Sequence, residues 1–142
     1  MRSTRIRVSE WSVVFMMAAA AAGCTRTTDA TKMTELQRVR SGTVDVVLLS
    51  PSDSLHRGKD AFVVEFRSAS DGNPVDVGNV RATANMPMPG MAMFGKIDVQ
   101  PTAVPGRYAA ASEFEMAGTW RMAIEWDGPA GKGSVAFSRA VQ

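Results

Sequence analysis

Cysteine, histidine and tyrosine each occur once in the 142 residues, as Cys24, His56 and Tyr108, and aromatic residues make up only 7% of the chain. A single cysteine has no partner for an intramolecular disulfide. A single histidine provides neither the His/Cys ligand set of a zinc site nor a Ser–His–Asp triad. A phosphate-cradling glycine loop and a G-x-S-x-G nucleophile turn are also missing. Glu113 and Glu115 stand two apart and share a strand face, the usual spacing of a solvated edge. These absences argue against an enzyme and for a protein that works by binding.

A basic face is lacking as well. The chain carries 16 Lys+Arg and 14 Asp+Glu, but the excess belongs to the N-terminus. Taking away residues 1–23 removes three arginines (Arg2, Arg5, Arg7) and Glu10, which leaves 13 of each sign. A neutral domain without clustered Lys and Arg has no counterion-releasing surface, so nucleic acid is excluded as a partner. Arg2, Arg5 and Arg7 precede the uncharged stretch Trp11–Ala22, whose twelve residues are too few to span a bilayer. This is the layout of a secretory signal. "AAGC" at 21–24 resembles the bacterial lipobox, with Ala21 where leucine is usual, and it makes Cys24 the expected lipidation site. Ordinary signal cleavage leaving a free thiol is the alternative. Thr25 rather than Asp follows the cysteine, which by analogy with Gram-negative lipoprotein sorting favours the outer membrane.

Residues 24–41 are polar, and their first half is rich in threonine. They read as a tether, with a short helical turn at Met33–Val39. From Gly42 onward runs of strand character alternate with Gly/Pro turns. "DAFVVEFRSAS" (60–70) sets Phe62, Val64 and Phe66 against Val63, Glu65 and Arg67, and "GTWRMAIEW" (118–126) places Trp120, Met122 and Ile124 on one side. "SDGNP" and "DGPAGKG" are turns. Seven short strands at roughly ten-residue spacing, with no sustained 3.6-residue period, predict an all-β, immunoglobulin-like antiparallel sandwich without the Cys–Trp–Cys signature of antibody domains.

Four linked motifs carry a family resemblance. "SDGNPVDVGNVRATANMPMPGMAM" leads through a D-G-x-P-V turn into a strand and a Met hairpin, and "VPGRYAA" and "EMAGTWRMAIEW" follow in order. Over about residues 42–140 the chain resembles the YtkA-like/FixH-like family of bacterial envelope β-sandwich domains. That resemblance implies an exported domain, in some members beside heavy-metal efflux and copper-handling systems, and it assigns no agreed set of functional residues. The chain accordingly divides into a lipoprotein signal peptide (1–23), a lipid-anchored tether (24–41) and a YtkA-like sandwich (42–142).

The methionines are the main candidate site. "NMPMPGMAMF" places Met86, Met88, Met91 and Met93 within eight residues. Residues two apart on an extended chain share a side. Pro87 and Pro89 keep the segment out of a central strand, and Gly90 permits a reversal between the two Met pairs. Thioethers are soft donors suited to Cu(I) or Ag(I) in an oxidising compartment. Three readings stay open here: a soft-metal site, a flexible Met filler for the open end of the core, and an adaptable surface for a protein partner. His56, in a polar loop, and Met116 are weaker ligand candidates, while Met116 and Met122 in alternating runs suit the core. Tyr108 suits a tyrosine corner, Trp120 and Trp126 suit the core, and Asp71 and Asp76 suit local turn bonding. The functional expectation is a lipid-anchored envelope protein accessory to copper handling or efflux; the alternative is a metal-free adaptor contacting a membrane-protein assembly.

Overall fold

The computed structural model describes residues 32–142. The signal segment, Cys24 and the tether up to residue 31 lie outside the described residues. Eight strands make up the fold, with no helix among the described residues. They are β1 (Thr34–Ser41), β2 (Val44–Ser50), β3 (Gly58–Ser68), β4 (Asn79–Met88), β5 (Met91–Pro101), β6 (Arg107–Phe114), β7 (Gly118–Gly128) and β8 (Gly131–Val141). All pair antiparallel in the order β1-β2-β3-β6-β5-β4-β7-β8.

Two expectations need correction. The strands number eight, and Thr34–Ser41 is a strand where the sequence suggested tether and a helical turn. All seven residues of β2 are buried, so its outer backbone edge requires a hydrogen-bonding neighbour, and β1 supplies one. Leu36 and Val39 pack on the core, and Arg40 meets its cross-strand partner Asp45 through two bonds of 2.7 and 3.0 Å. The strands also form one continuous hydrogen-bonded order, where two separate sheets were expected. The link is β5, whose first half (Met91–Gly95) pairs with β4 and whose second half (Lys96–Pro101) pairs with β6. The change of partner falls at Gly95. A Cβ there would sit 3.1 Å from both Phe114 and Trp120, so glycine lets those rings close beneath the corner without shifting.

Period-2 alternation decides what faces inward. Phe62, Val64 and Phe66 of β3, and Trp120, Met122, Ile124 and Trp126 of β7, enter a single core with Val46, Leu48 and Phe137. Phe66 makes edge-on contacts with Tyr108 and Trp126 (centroids 5.4 and 5.3 Å apart) at one end, and Phe114 tilts against Trp120 at 5.0 Å toward the other. The buried Tyr108 hydroxyl donates to the Gly78 carbonyl at 2.8 Å. This is the backbone anchoring expected of it, reaching thirty residues back in the chain. Burial first, and then the Asp76 carboxylate, push its pKa upward.

Candidate functional site

Pairing of β4 with β7 stops at Asn85↔Arg121, and pairing of β5 with β6 starts at Lys96↔Glu113. Residues 86–94 therefore form a two-stranded ribbon running past the rest of the sheet. Pro87 is tolerated because this part of β4 has β5 as its only paired neighbour among the described residues. Pro89 and Gly90 make the reversal. Gly90 has φ +77°, which is the third position of a type II turn with proline at the second.

The register puts Met86 opposite Met93 and Met88 opposite Met91. Directly opposed residues of an antiparallel pair face the same way, as do residues two apart. All four side chains consequently lie on one face of the ribbon, the face that continues into the core. Burial then divides them. Met86 is 8% exposed and Met93 is partly buried against the core, whereas Met88 is 41% and Met91 67% exposed. The end of the Met86 thioether lies over Gly118, where a Cβ would meet its Cε at 2.7 Å.

Met116 joins this end of the molecule from the turn between β6 and β7. It is 41% exposed, so the structure places it at the surface and not in the core. Its carbonyl accepts the indole N–H of buried Trp120 at 3.0 Å, which fixes the turn next to the Met86–Gly118 contact. Met122 is a core residue, 1% exposed.

His56 sits in the β2–β3 loop, which crosses this end of the fold through the Leu55↔Val141 bridge. Its half-exposed ring lies beside local groups, with Nδ1 3.5 Å from the Asp60 carboxylate at the start of β3 and Nε2 3.4 Å from the Ser54 hydroxyl. Both nitrogens thus have partners other than the methionines. Among the described residues no group of three His, Cys, Asp or Glu is placed to hold a metal ion. Glu113 lies in register between Lys59 and Lys96. Asp71 and Asp76 accept from the backbone N–H groups of Asn73 (3.0 Å) and Gly78 (2.9 Å), the local turn bonding expected of them.

Phe94 was missed in the sequence. It lies on the opposite face from Met93 and is 77% exposed, the most exposed large apolar side chain among the described residues. Its parity in "MAMF" was the available signal, since a residue next to an inward-facing one points outward.

The donor set at the ribbon is wholly soft. Thioethers with no carboxylate, imidazole or thiolate among residues 85–95 suit a monovalent d¹⁰ ion such as Cu(I) or Ag(I) and not Zn(II), Mg(II) or Ca(II).

Residues 38–125 match the family model described as YtkA-like, well over half of the chain. No curated protein matches the chain significantly. Two solved structures are similar in fold. FetP of uropathogenic Escherichia coli strain F11 superposes with a TM-score of 0.51 at 9% identity, over 77% of this chain and 95% of its own. A DUF4426 family protein from Pseudomonas aeruginosa PAO1 gives 0.52 at 15% identity, over 75% of this chain and 94% of its own. At these identities the likeness is one of fold alone.

Proposed function

Since the chain belongs to the YtkA-like family, we propose that it is an exported binding protein of the cell envelope, lipid-anchored at Cys24, that carries Cu(I) as an accessory to copper handling. The observation that carries this reading is the exposed Met88–Met91 cross-strand pair, on the same ribbon face as Met86 and Met93. Met88 and Met91 are the primary ligands, and Met93 is the third sulfur within the same face. Met86, seated against Gly118, is the packing foot of the ribbon. An exposed site of few thioethers releases its ion readily by ligand exchange, which suits a carrier better than a store. Export supplies the compartment, where thiols are consumed and thioethers persist. FetP, which is similar in fold, was recombinantly expressed in the periplasm of E. coli.

The test is titration of the purified protein with Cu(I) under a competing chelator. Binding tighter than micromolar is expected, weakened at least tenfold by Met88→Leu with Met91→Leu and unchanged in thermal stability. An affinity no better than micromolar, or one unaltered when all four methionines of the ribbon are replaced, overturns the metal reading.

Phe94 and the ribbon tip favour a second reading, in which the uncharged stretch 85–95 docks on a membrane-protein assembly without metal. Phe94→Ser then removes the co-purifying assembly while leaving Cu(I) affinity as it is. Retention of the assembly by that variant argues against the adaptor.

A further inference from the structure

The two sides of the fold close differently. On one side β1 lies against β8. On the other, β4 and β5 part beyond the Ala84↔Gly95 pair, because β5 leaves for β6 while β4 stays with β7. Two strand edges are thereby left without a strand partner among the described residues: Asn79–Thr83 of β4 and Ile97–Pro101 of β5. Between them opens a cleft of about 890 Å³. Trp126 forms its floor, Val80 and Val99 its walls, and Arg81 and Lys132 stand at its rim.

The rim charges balance in number, Arg81 and Lys132 against Glu125 and Asp127. Lys132 pairs with Asp127 at 2.8 Å, and Arg81 approaches Glu125 at 3.9 Å. The rim therefore offers little net charge to recruit an ionic ligand. What the cleft does leave unpaired is backbone, the N–H and C=O groups of two facing edges. An extended chain is the ligand that satisfies such groups. Of the devices that normally blunt an edge, the β4 stretch carries one outward charge, Arg81. Val80, Ala82, Ile97 and Val99, the inward residues, are all apolar, and only Pro101 at the end of β5 lacks an N–H. The β4 edge is free of proline over Asn79–Thr83.

We propose that this cleft receives an extended polypeptide segment of a partner protein, added as a strand to the free edge of β4 at Asn79–Thr83. Five residues of β4 accommodate a strand about 17 Å long at the usual rise. Alternate side chains of the segment face Val80, Val99 and the Trp126 ring, so small or apolar residues at every second position are required. A second copy of this chain is a poor occupant. Antiparallel pairing of this edge with itself about its centre sets Arg81 against the second copy's Arg81, and directly opposed like charges destabilise a strand pair. This site is separate from the Met ribbon, and its assignment does not depend on the copper reading.

The probe is a synthetic peptide of alternating valine and threonine with a lysine at each end, titrated into ¹⁵N-labelled protein. Saturable amide shifts confined to residues 79–83 and 97–101 are expected, with slowed hydrogen exchange of the β4 amides that are not bonded to β7. The same peptide N-methylated along one edge is expected to bind at least tenfold more weakly. Absent or scattered shifts, or equal binding by the N-methylated peptide, overturn the proposal. Shifts at 79–83 that grow with protein concentration in the absence of peptide overturn it in favour of self-association.

Discussion

Met86 and Met91 are the same residue on the same ribbon face, yet their surroundings give them different work. Met86 is 8% exposed because Gly118 leaves room for its methyl group, while Met91 is 67% exposed at the tip. Truncating each separates packing from binding. Met86→Ala is expected to cost about 2–5 kcal/mol, the usual range for a buried methionine, measured by urea denaturation. Met91→Ala is expected to leave stability within about 0.5 kcal/mol. Gly118→Ala tests the same contact from the other side. With φ at +143° the new side chain is strained at the backbone, and its Cβ, 2.7 Å from the Met86 Cε, displaces the flexible end of that thioether. An expected loss of about 1–3 kcal/mol follows from the backbone strain; a neutral variant would show that residue 118 is not held at that φ. Trp120 adds a polar contribution to its packing in the core. Trp120→Phe leaves the Met116 carbonyl without its indole donor, and it is also expected to change the ring packing against Phe114.

Among the elements, β1 was the least legible, and the reason is chemical. "TELQRVRS" has two large apolar residues in eight and looks like a solvated linker. Its strand state comes from β2, whose buried edge needs pairing, and from charges that meet only across the pair. Asp45 is 4% exposed and accepts two hydrogen bonds from Arg40. Those bonds, followed by the positive charges of Arg40 and Arg38, hold its carboxyl below the ordinary value of 3.8 although burial opposes them. A carboxyl depressed in the folded state adds stability above its unfolded pKa and loses it as pH falls through the folded one. Asp45→Asn is therefore expected to destabilise the protein at neutral pH and to flatten the acid limb below about pH 4, where its thermal stability converges on that of the parent. Parallel curves down to pH 2 would remove Asp45 from the account. By contrast, β6 and β7 were plain in the sequence, since their alternation of apolar and polar residues matches one buried and one solvated face. β2 shows no alternation because its outer face is covered too, with Val47 and Leu49 packed against Val63 and Met33.

At the scale of the whole molecule, the strand order joins distant parts of the chain. β3 pairs with β6 across two intervening strands, and β4 pairs with β7 in the same way. Such non-local pairing makes loop closure precede most of the contacts that reward it. Refolding is expected in the millisecond-to-second range, followed by stopped-flow tryptophan fluorescence, and microsecond relaxation would contradict this topology. The all-β class, the turns, the reversal at Gly90, the lack of a disulfide framework and the soft character of the candidate donors were legible in the order of residues alone. Each of these depends on residues close together in the chain, where side-chain type and backbone preference act directly. The strand state of β1, the change of partner of β5 at Gly95, the exposure of Met88 and Met91 beside a buried Met86, and the facing of the β4 and β5 edges across a cleft came with the folded arrangement. Those outcomes depend on which strands become neighbours. Neighbours are chosen by mutual burial and by backbone groups that are identical at nearly every residue, so they leave little local trace in the order of amino acids.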